Sequence, residues 1–210
     1  MKRAVIFGAA PICDYSPIAD DIRSYDIVIC ADGGVRHVLE LGITPDVIAG
    51  DFDSFKEENP FPGARVIRAE KKKDLTDTEI AINEALRMEA AIIDLAGCIY
   101  GRLDQTYANI QLLLKYTRAG CQVSLIGEND ILKVVTGPVS IDKKEGSYLS
   151  LFALSDTVHD LCIKGTVYEL SGYTLKCGDA LCVSNEFKEK QALIDFSRGE
   201  LLIILSRKRR

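Results

Sequence analysis

The chain has 210 residues, 47% of them apolar and 27% charged, and a net charge of −5. This is the composition of a folded chain of one large or two small domains, and it excludes intrinsic disorder. The acidic balance argues against a general polyanion-binding surface, so an anionic ligand needs local basic groups or a bridging metal.

At this length folding buries roughly 70% of the surface of the unfolded chain, and no disulfide or structural metal is needed to hold it. The seven cysteines form no C-x-x-C pair, and several lie in apolar runs such as Val28-Ile29-Cys30-Ala31. An odd, unpaired set points to a reducing cytoplasm. The first apolar run is too short for a signal peptide, and no run reaches the ~18 apolar residues of a membrane span. The basic end Arg207-Lys208-Arg209-Arg210 is read as a solvated terminus. Neither nucleic acid nor membrane is an expected partner.

In chain order, Ala4-Val5-Ile6-Phe7 is a short buried-strand pattern closed by Gly8, and residues 26–31 form a second. Residues 35–41 carry apolar side chains at helical spacing and stop at Gly42. Val47-Ile48-Ala49 and residues 65–68 are strands. A helix over 76–88 opens on the capping-box pattern Thr76-Asp77-Thr78-Glu79. Residues 91–96 are a strand, 104–119 a long helix, and 123–126 a closing strand. Alternating strands and helices imply a doubly wound, mostly parallel sheet, which binds ligands at the carboxyl ends of its strands. From about 128 the pattern changes to short runs broken by turn signals such as Gly137-Pro138, Lys164-Gly165 and Cys177-Gly178-Asp179. This is the pattern of an antiparallel β-sandwich. The expected organisation is an α/β domain over 1–127 followed by a sandwich domain over 128–210.

Three polar clusters follow three predicted strands on one edge: Asp32-Gly33-Gly34, Gly50-Asp51-Phe52-Asp53, and the loop 97–104. Asp51 and Asp53, two residues apart, repel each other unless a cation sits between them, and Mg²⁺ suits one or two carboxylates together with phosphates. A surface turn with Asx hydrogen bonds explains an isolated D-x-D equally well. Lys73-Asp74-Leu75-Thr76-Asp77 places a lysine and two acids at a helix N-terminus, where free N–H groups and the helix dipole favour an anion. A solvated basic run before a capped helix is the plain reading of the same residues. Arg102 and Asp104 fit either bidentate phosphate binding or an ordinary helix start. Ser184-Asn185 can read the polar edge of a heteroaromatic ring, or simply make a turn. His37 and His159 lack metal spacing and a nucleophile partner and are read as incidental. Neither a Walker loop nor a G-x-G-x-x-G motif is present.

Taken together in order, Ala31-Asp32-Gly33-Gly34, residues 41–54 (LGITPDVIAGDFDS), Lys73-Asp74-Leu75-Thr76-Asp77, Gly101-Arg102-Leu103-Asp104-Gln105 and Ser184-Asn185-Glu186-Phe187 resemble the thiamin pyrophosphokinase family over nearly the whole chain. The resemblance implies an α/β domain with a C-terminal β-sandwich, assembled as a homodimer. It also implies transfer of a diphosphoryl group from ATP to the hydroxyl of thiamine, with Mg²⁺, giving thiamine diphosphate and AMP. By similarity Asp51, Asp53 and Asp77 hold the metal and carry the catalysis, and Asp32 lines the same acidic cluster. Lys73, Thr76, Arg102 and Asp104 contact the nucleotide, with Gly33, Asp74 and Gln105 beside them, while Ser184 and Asn185 hold the thiamine pyrimidine. The chain departs from the family where Tyr100 stands in place of a glycine and Gln105 in place of a histidine. Two alternatives stand beside this reading: a sister enzyme acting on a pterin alcohol, and a non-catalytic nucleotide or thiamine sensor.

Overall fold

The computed structural model describes residues 1–19, 22–50, 60–68 and 75–208. The chain divides into two compact units, Met1–Leu112 with Cys121–Glu128, and Leu113–Gly120 with Asn129–Arg210.

The first unit runs β1 (Lys2–Phe7), α1 (Ser16–Ala19), β2 (Ile27–Ala31), α2 (Val35–Leu41), β3 (Val47–Gly50), β4 (Arg65–Arg68), α3 (Asp77–Arg87), β5 (Ala90–Ala96), the part of α4 (Leu103–Arg118) up to Leu112, and β6 (Gln122–Ile126). Its strands lie in the order β4-β3-β2-β1-β5-β6, every pair parallel. The order reverses between β1 and β5, which pair from Arg3↔Ile92 to Phe7↔Ala96. Helices on both faces explain why Ala4 to Phe7 are wholly buried and read as a continuous apolar run rather than an alternating one. One face packs Val5, Phe7, Cys30, Ile48 and Ala96 against Ile18 and the α2 residues Val35 and Val38. Helix α3 turns its buried Ala81, Ile82 and Ala85 inward. Burial of each large apolar side chain here contributes about 1.5–3 kcal/mol.

The helices predicted over 76–88 and 104–119 are Asp77–Arg87 and Leu103–Arg118, within the usual end-fraying of one or two residues. Thr76 is the N-cap of α3, its Oγ1 accepting a hydrogen bond from Glu79 N–H at 3.2 Å. The four-residue α1 was not expected. Its single turn carries too few residues for a periodic pattern.

The second unit holds β7 (Asp130–Val135), β8 (Val139–Asp142), β9 (Ser147–Ala153), β10 (Thr157–Lys164), β11 (Leu170–Lys176), β12 (Gln191–Asp195) and β13 (Leu201–Arg207). Strand β13 pairs antiparallel with β7 on one side and β9 on the other. The order β11-β10-β12-β8 forms a second antiparallel sheet. Leu149, Leu151 and Ile203 from the first set and Val158, Leu161, Ile194 and Leu175 from the second meet in one core, so the two layers form a sandwich. Strand β12 alternates exposed and buried residues along its length, the period-2 pattern of a sheet with one wet face. The fold is thus an α/β unit with a parallel sheet followed by an antiparallel β unit. No helix among the described residues is long and apolar enough to cross a membrane.

Candidate active site

The carboxyl edge of the parallel sheet opens into a cleft of about 540 Å³. It sits at the β1/β5 reversal, where the two neighbouring chain exits diverge and leave a crevice. Gly8, Ala9 and Ala10 enter it from β1, Ala31 and Asp32 from β2, and Gly97 and Cys98 from β5. Thr76, Asp77 and Thr78 supply the N-terminus of α3, and Tyr100, Arg102, Gln105 and Asn109 come from the start of α4 and the loop before it.

The Asp32-Gly33-Gly34 signature has a steric reason. The chain leaving β2 makes one 3-10 turn directly over the end of β1, so a Cβ at Gly34 would collide with the Phe7 carbonyl. Asp32 takes a left-handed backbone conformation (φ 48°), which is uncommon for a residue with a side chain and is concentrated at functional sites. Gly50, the last residue of β3, lies against Asp32: a Cβ there would stand 3.0 Å from Asp32 Cα. The Thr76 cap presents the first turn of α3, with Asp77 and Glu79 in it, to the same cleft. The positive end of the helix dipole stabilises carboxylates at that position and favours an anionic ligand there.

Arg102 is held by Asp104 in a two-pronged ion pair, Nη2 to Oδ2 at 2.6 Å and Nε to Oδ1 at 3.2 Å. Asp104 Oδ1 also accepts from Gln105 N–H at 3.0 Å. The hydrogen bond from Arg102 holds the Asp104 carboxyl below its ordinary value. Asp104 therefore fixes the direction of the guanidinium and need not touch a ligand to matter.

Of the site residues expected from sequence, the cleft brings together Asp32, Thr76, Asp77, Arg102 and Gln105. Gly33 and Asp104 adjoin it through the turn and the ion pair just described. Asp51, Asp53, Lys73 and Asp74 lie outside the described residues. Among the described residues, no group of three His, Cys, Asp or Glu side chains is arranged to hold a metal. Asp32 and Asp77 are hard oxygen donors lining one cleft, the donor chemistry that suits Mg²⁺.

The sequence reading missed the β1 exit and Asn109. Asn109 is buried in α4, and its Nδ2 donates to the Cys98 carbonyl at 2.9 Å, tying the helix to the loop after β5. A polar residue inside an otherwise apolar helical stripe was the available signal. Cys98 lines the cleft, but burial pushes its thiol up to about 12, so it is no nucleophile near neutral pH. His37, read as incidental, is buried and hydrogen-bonded on both ring nitrogens.

Ser184 and Asn185 belong to the second unit, paired with β9 through Leu149 N–H to Asn185 O (2.8 Å) and Asn185 N–H to Leu149 O (2.9 Å). Ser184 is exposed and also left-handed (φ 58°). Asn185 is only 5% exposed. Its Oδ1 accepts from Tyr168 N–H (3.0 Å) and Glu186 N–H (2.9 Å), and its Nδ2 donates to Thr166 Oγ1 (3.2 Å) and Tyr168 O (2.8 Å). Both lone pairs and both protons of this amide are thereby used inside the protein. The expected hold on a ligand ring would have to exchange one of these four bonds.

Two carboxylates, a capped helix N-terminus and an arginine held by an aspartate line one cleft at the reversal point of a parallel sheet, an arrangement suited to the chemistry of a nucleotide-dependent transferase. Comparison with known proteins narrows the class. The family model "Thiamin pyrophosphokinase, catalytic domain" matches residues 19–125, and "Thiamin pyrophosphokinase, vitamin B1 binding domain" matches 138–201. The thiamine pyrophosphokinase of Bacillus subtilis (strain 168) is 34% identical over 98% of this chain and 99% of its own. A crystal structure of thiamine pyrophosphokinase from Bacillus subtilis superposes with a TM-score of 0.88 at 31% identity, covering 98% of this chain and 99% of that one. The Geobacillus thermodenitrificans structure gives 0.84 at 31% identity, covering 99% and 98%. The chain belongs to the thiamin pyrophosphokinase family.

Proposed function

We propose that the cleft of the first unit takes the triphosphate of ATP in the family's reaction, with the second unit supplying the thiamine contacts. As a thiamine diphosphokinase, the protein moves a diphosphoryl group from ATP to the thiamine hydroxyl, releasing AMP. The observation that carries the reading is the convergence of Asp32, Asp77, Thr76 and Arg102 on one cleft from three separate parts of the chain.

Phosphoryl transfer asks a protein for positioning and charge neutralisation more than for covalent chemistry. Arg102, aimed by Asp104, and the N–H groups of the first turn of α3 supply the positive side of the site. The carboxylates Asp32 and Asp77 would repel a triphosphate by themselves. They would hold Mg²⁺, together with Asp51 and Asp53 from the segment after β3. When bound, Mg²⁺ supplies Lewis-acid polarisation of phosphoryl oxygens. Lys73, Asp74, Gln105 and Gly33 are assigned to the nucleotide side of the same cleft.

In the second unit Ser184 is assigned the direct contact to thiamine, supported by its exposure and strained backbone. Asn185 is assigned the support of that segment. Exposed Val167, Tyr168, Leu181 and Val183 around Ser184 support a homodimer that covers them. The assigned domains are the ATP- and Mg²⁺-binding residues 1–127 and the thiamine-binding, dimerising residues 128–210. Described cysteines that are all free support a cytoplasmic location.

Mass spectrometry of products from ATP, Mg²⁺ and either thiamine or a pterin alcohol tests the reading. Thiamine diphosphate and AMP are expected with thiamine, and neither product after chelation of the metal. AMP release with the pterin alcohol alone, or binding without AMP release, would replace the assignment. Asp77→Asn is expected to abolish turnover with the fold intact; wild-type turnover would remove Asp77 from the metal set.

A further inference from the structure

His37 sits on α2 with 1% of its surface exposed, between the Phe7 ring (centroids 6.0 Å apart) and the Tyr15 ring (5.8 Å, edge-on). A buried imidazole is costly unless both nitrogens are paired, and here both are. Nε2 lies 2.9 Å from the Ala10 carbonyl, and Nδ1 lies 2.7 Å from the Tyr15 hydroxyl. A carbonyl only accepts, so Nε2 carries the proton. Burial lowers the pKa of the imidazole below its ordinary value, with neighbouring Arg36 acting in the same direction against Glu40. The neutral ring then presents a lone pair at Nδ1 toward the Tyr15 hydroxyl. That hydroxyl has a single proton and a second acceptor within reach, Glu40 Oε2 at 2.9 Å.

What this arrangement grips is the floor of the cleft. The Ala10 carbonyl is held by His37, and the Ala10 N–H donates to Gly97 O at 2.9 Å. The Gly8 N–H donates to Ala96 O at 2.8 Å. Between them, the N–H of Ala9, an exposed cleft-lining residue, has no hydrogen-bond partner among the described residues. Gly97 has φ 62°, and a Cβ there would stand 2.8 Å from Gly8 O, 3.0 Å from Ala10 O and 3.1 Å from His37 Nε2. The turn is thus closed on three sides by close contacts. Its one unengaged backbone donor belongs to a residue that lines the place assigned to a triphosphate.

We propose that His37 is a positioning residue for diphosphoryl transfer: its Nε2–H fixes the Ala10 carbonyl and thereby sets the Gly8–Ala10 turn so that the Ala9 N–H can receive an ATP phosphate oxygen. This rests on the reading that the cleft takes ATP. Tyr15 acts one step further back, orienting the ring. Thiamine binding is not part of the role.

Two isosteres separate this role from simple core filling. The amide nitrogen of glutamine can stand in for Nε2, whereas an asparagine amide reaches only the Nδ1 position. His37→Asn is expected to raise the KM for ATP about tenfold or more, the effect of one hydrogen bond to a charged group, with the KM for thiamine within twofold. His37→Gln is expected to recover the ATP KM to within about threefold of wild type, and Tyr15→Phe to fall between the two. If His37→Asn does not fold, Tyr15→Phe and His37→Gln still decide, since a purely structural role predicts no selective change in ATP KM for Tyr15→Phe. Unchanged ATP KM in His37→Asn or Tyr15→Phe, equal rises for both substrates, or no recovery with glutamine would overturn the proposal. Arg102→Ala run alongside separates the two readings. If it leaves the ATP KM unchanged, the cleft assignment itself fails and this inference with it. If it raises the ATP KM while the His37 variants do not, only the role of His37 is lost.

Discussion

Replacing Asn185 with alanine should destabilise the second unit far more than the loss of a surface-segment amide would. The side chain joins three neighbours by four hydrogen bonds while only 5% exposed. Removing it strips the Tyr168 and Glu186 N–H groups of their acceptor. The Tyr168 carbonyl keeps its bond from Thr166 Oγ1 at 3.2 Å, so the acceptor side is only partly lost. A buried donor left without a partner costs about 1–3 kcal/mol. Two such donors, each in the lower half of that range, put the loss at about 3 kcal/mol. This is a large part of a typical total of about 5–15 kcal/mol. At a urea slope of about 2 kcal/mol per M, the midpoint falls by about 1.5 M. Urea unfolding followed by far-UV circular dichroism, and in parallel by tyrosine emission, reads this directly, because the chain has no tryptophan. A midpoint shift below about 0.3 M with an unchanged slope would refute the buttress reading and return Asn185 to the ligand.

Ser184→Gly separates stability from binding: relief of the left-handed backbone is expected to leave the protein as stable or up to about 1 kcal/mol more so, while loss of the hydroxyl raises the KM for thiamine. Equal KM values would remove Ser184 from the binding site. The Arg118 Nε to Glu200 Oε1 hydrogen bond at 2.8 Å, with help from Ser155, holds Glu200 below its ordinary value. A depressed carboxylate contributes stability above its unfolded pKa and loses it as pH falls through the folded one. The melting temperature of Arg118→Ala should therefore lie below wild type at pH 7 and converge with it as the pH drops below the ordinary glutamate range; a gap constant with pH would contradict the pairing. Native alkylation at pH 8, read by peptide mass, is expected at exposed Cys177 first and then Cys13, whose thiol is raised by Glu128. Cys30 and Cys98, both pushed up to about 12 by burial, have only about one thiolate in 10⁴ at that pH and should label only on unfolding.

Much of the candidate site was legible in one dimension. The Thr76 cap, the Asp32-Gly33-Gly34 turn and the Arg102–Asp104 pair all act between residues a few positions apart, where spacing and residue type already state the geometry. The pairing of Tyr15 with His37 spans 22 residues, and that of Asn109 with Cys98 spans 11. Asn109 stands out as a polar residue in its helix, but nothing local names its partner, and nothing marks Tyr15 with His37. The pairs exist because α2 and α4 are laid against the exits of β1 and β5. Asn185 is a further case. Its type is right for reading a ligand ring, but burial turned all of its hydrogen-bonding capacity inward.

By itself the sequence determined the strand–helix alternation, the change to an antiparallel β pattern near 128, and the edge on which the polar loops gather. Periodicity and turn chemistry are local properties, set by backbone sterics and by which side chains avoid water. Only the tertiary structure decided which of those loops share one cleft, that its floor is clamped from behind by a buried histidine, and that a promising asparagine is already fully engaged. Those outcomes depend on which groups lose water when distant segments pack, and desolvation is a property of the assembled fold.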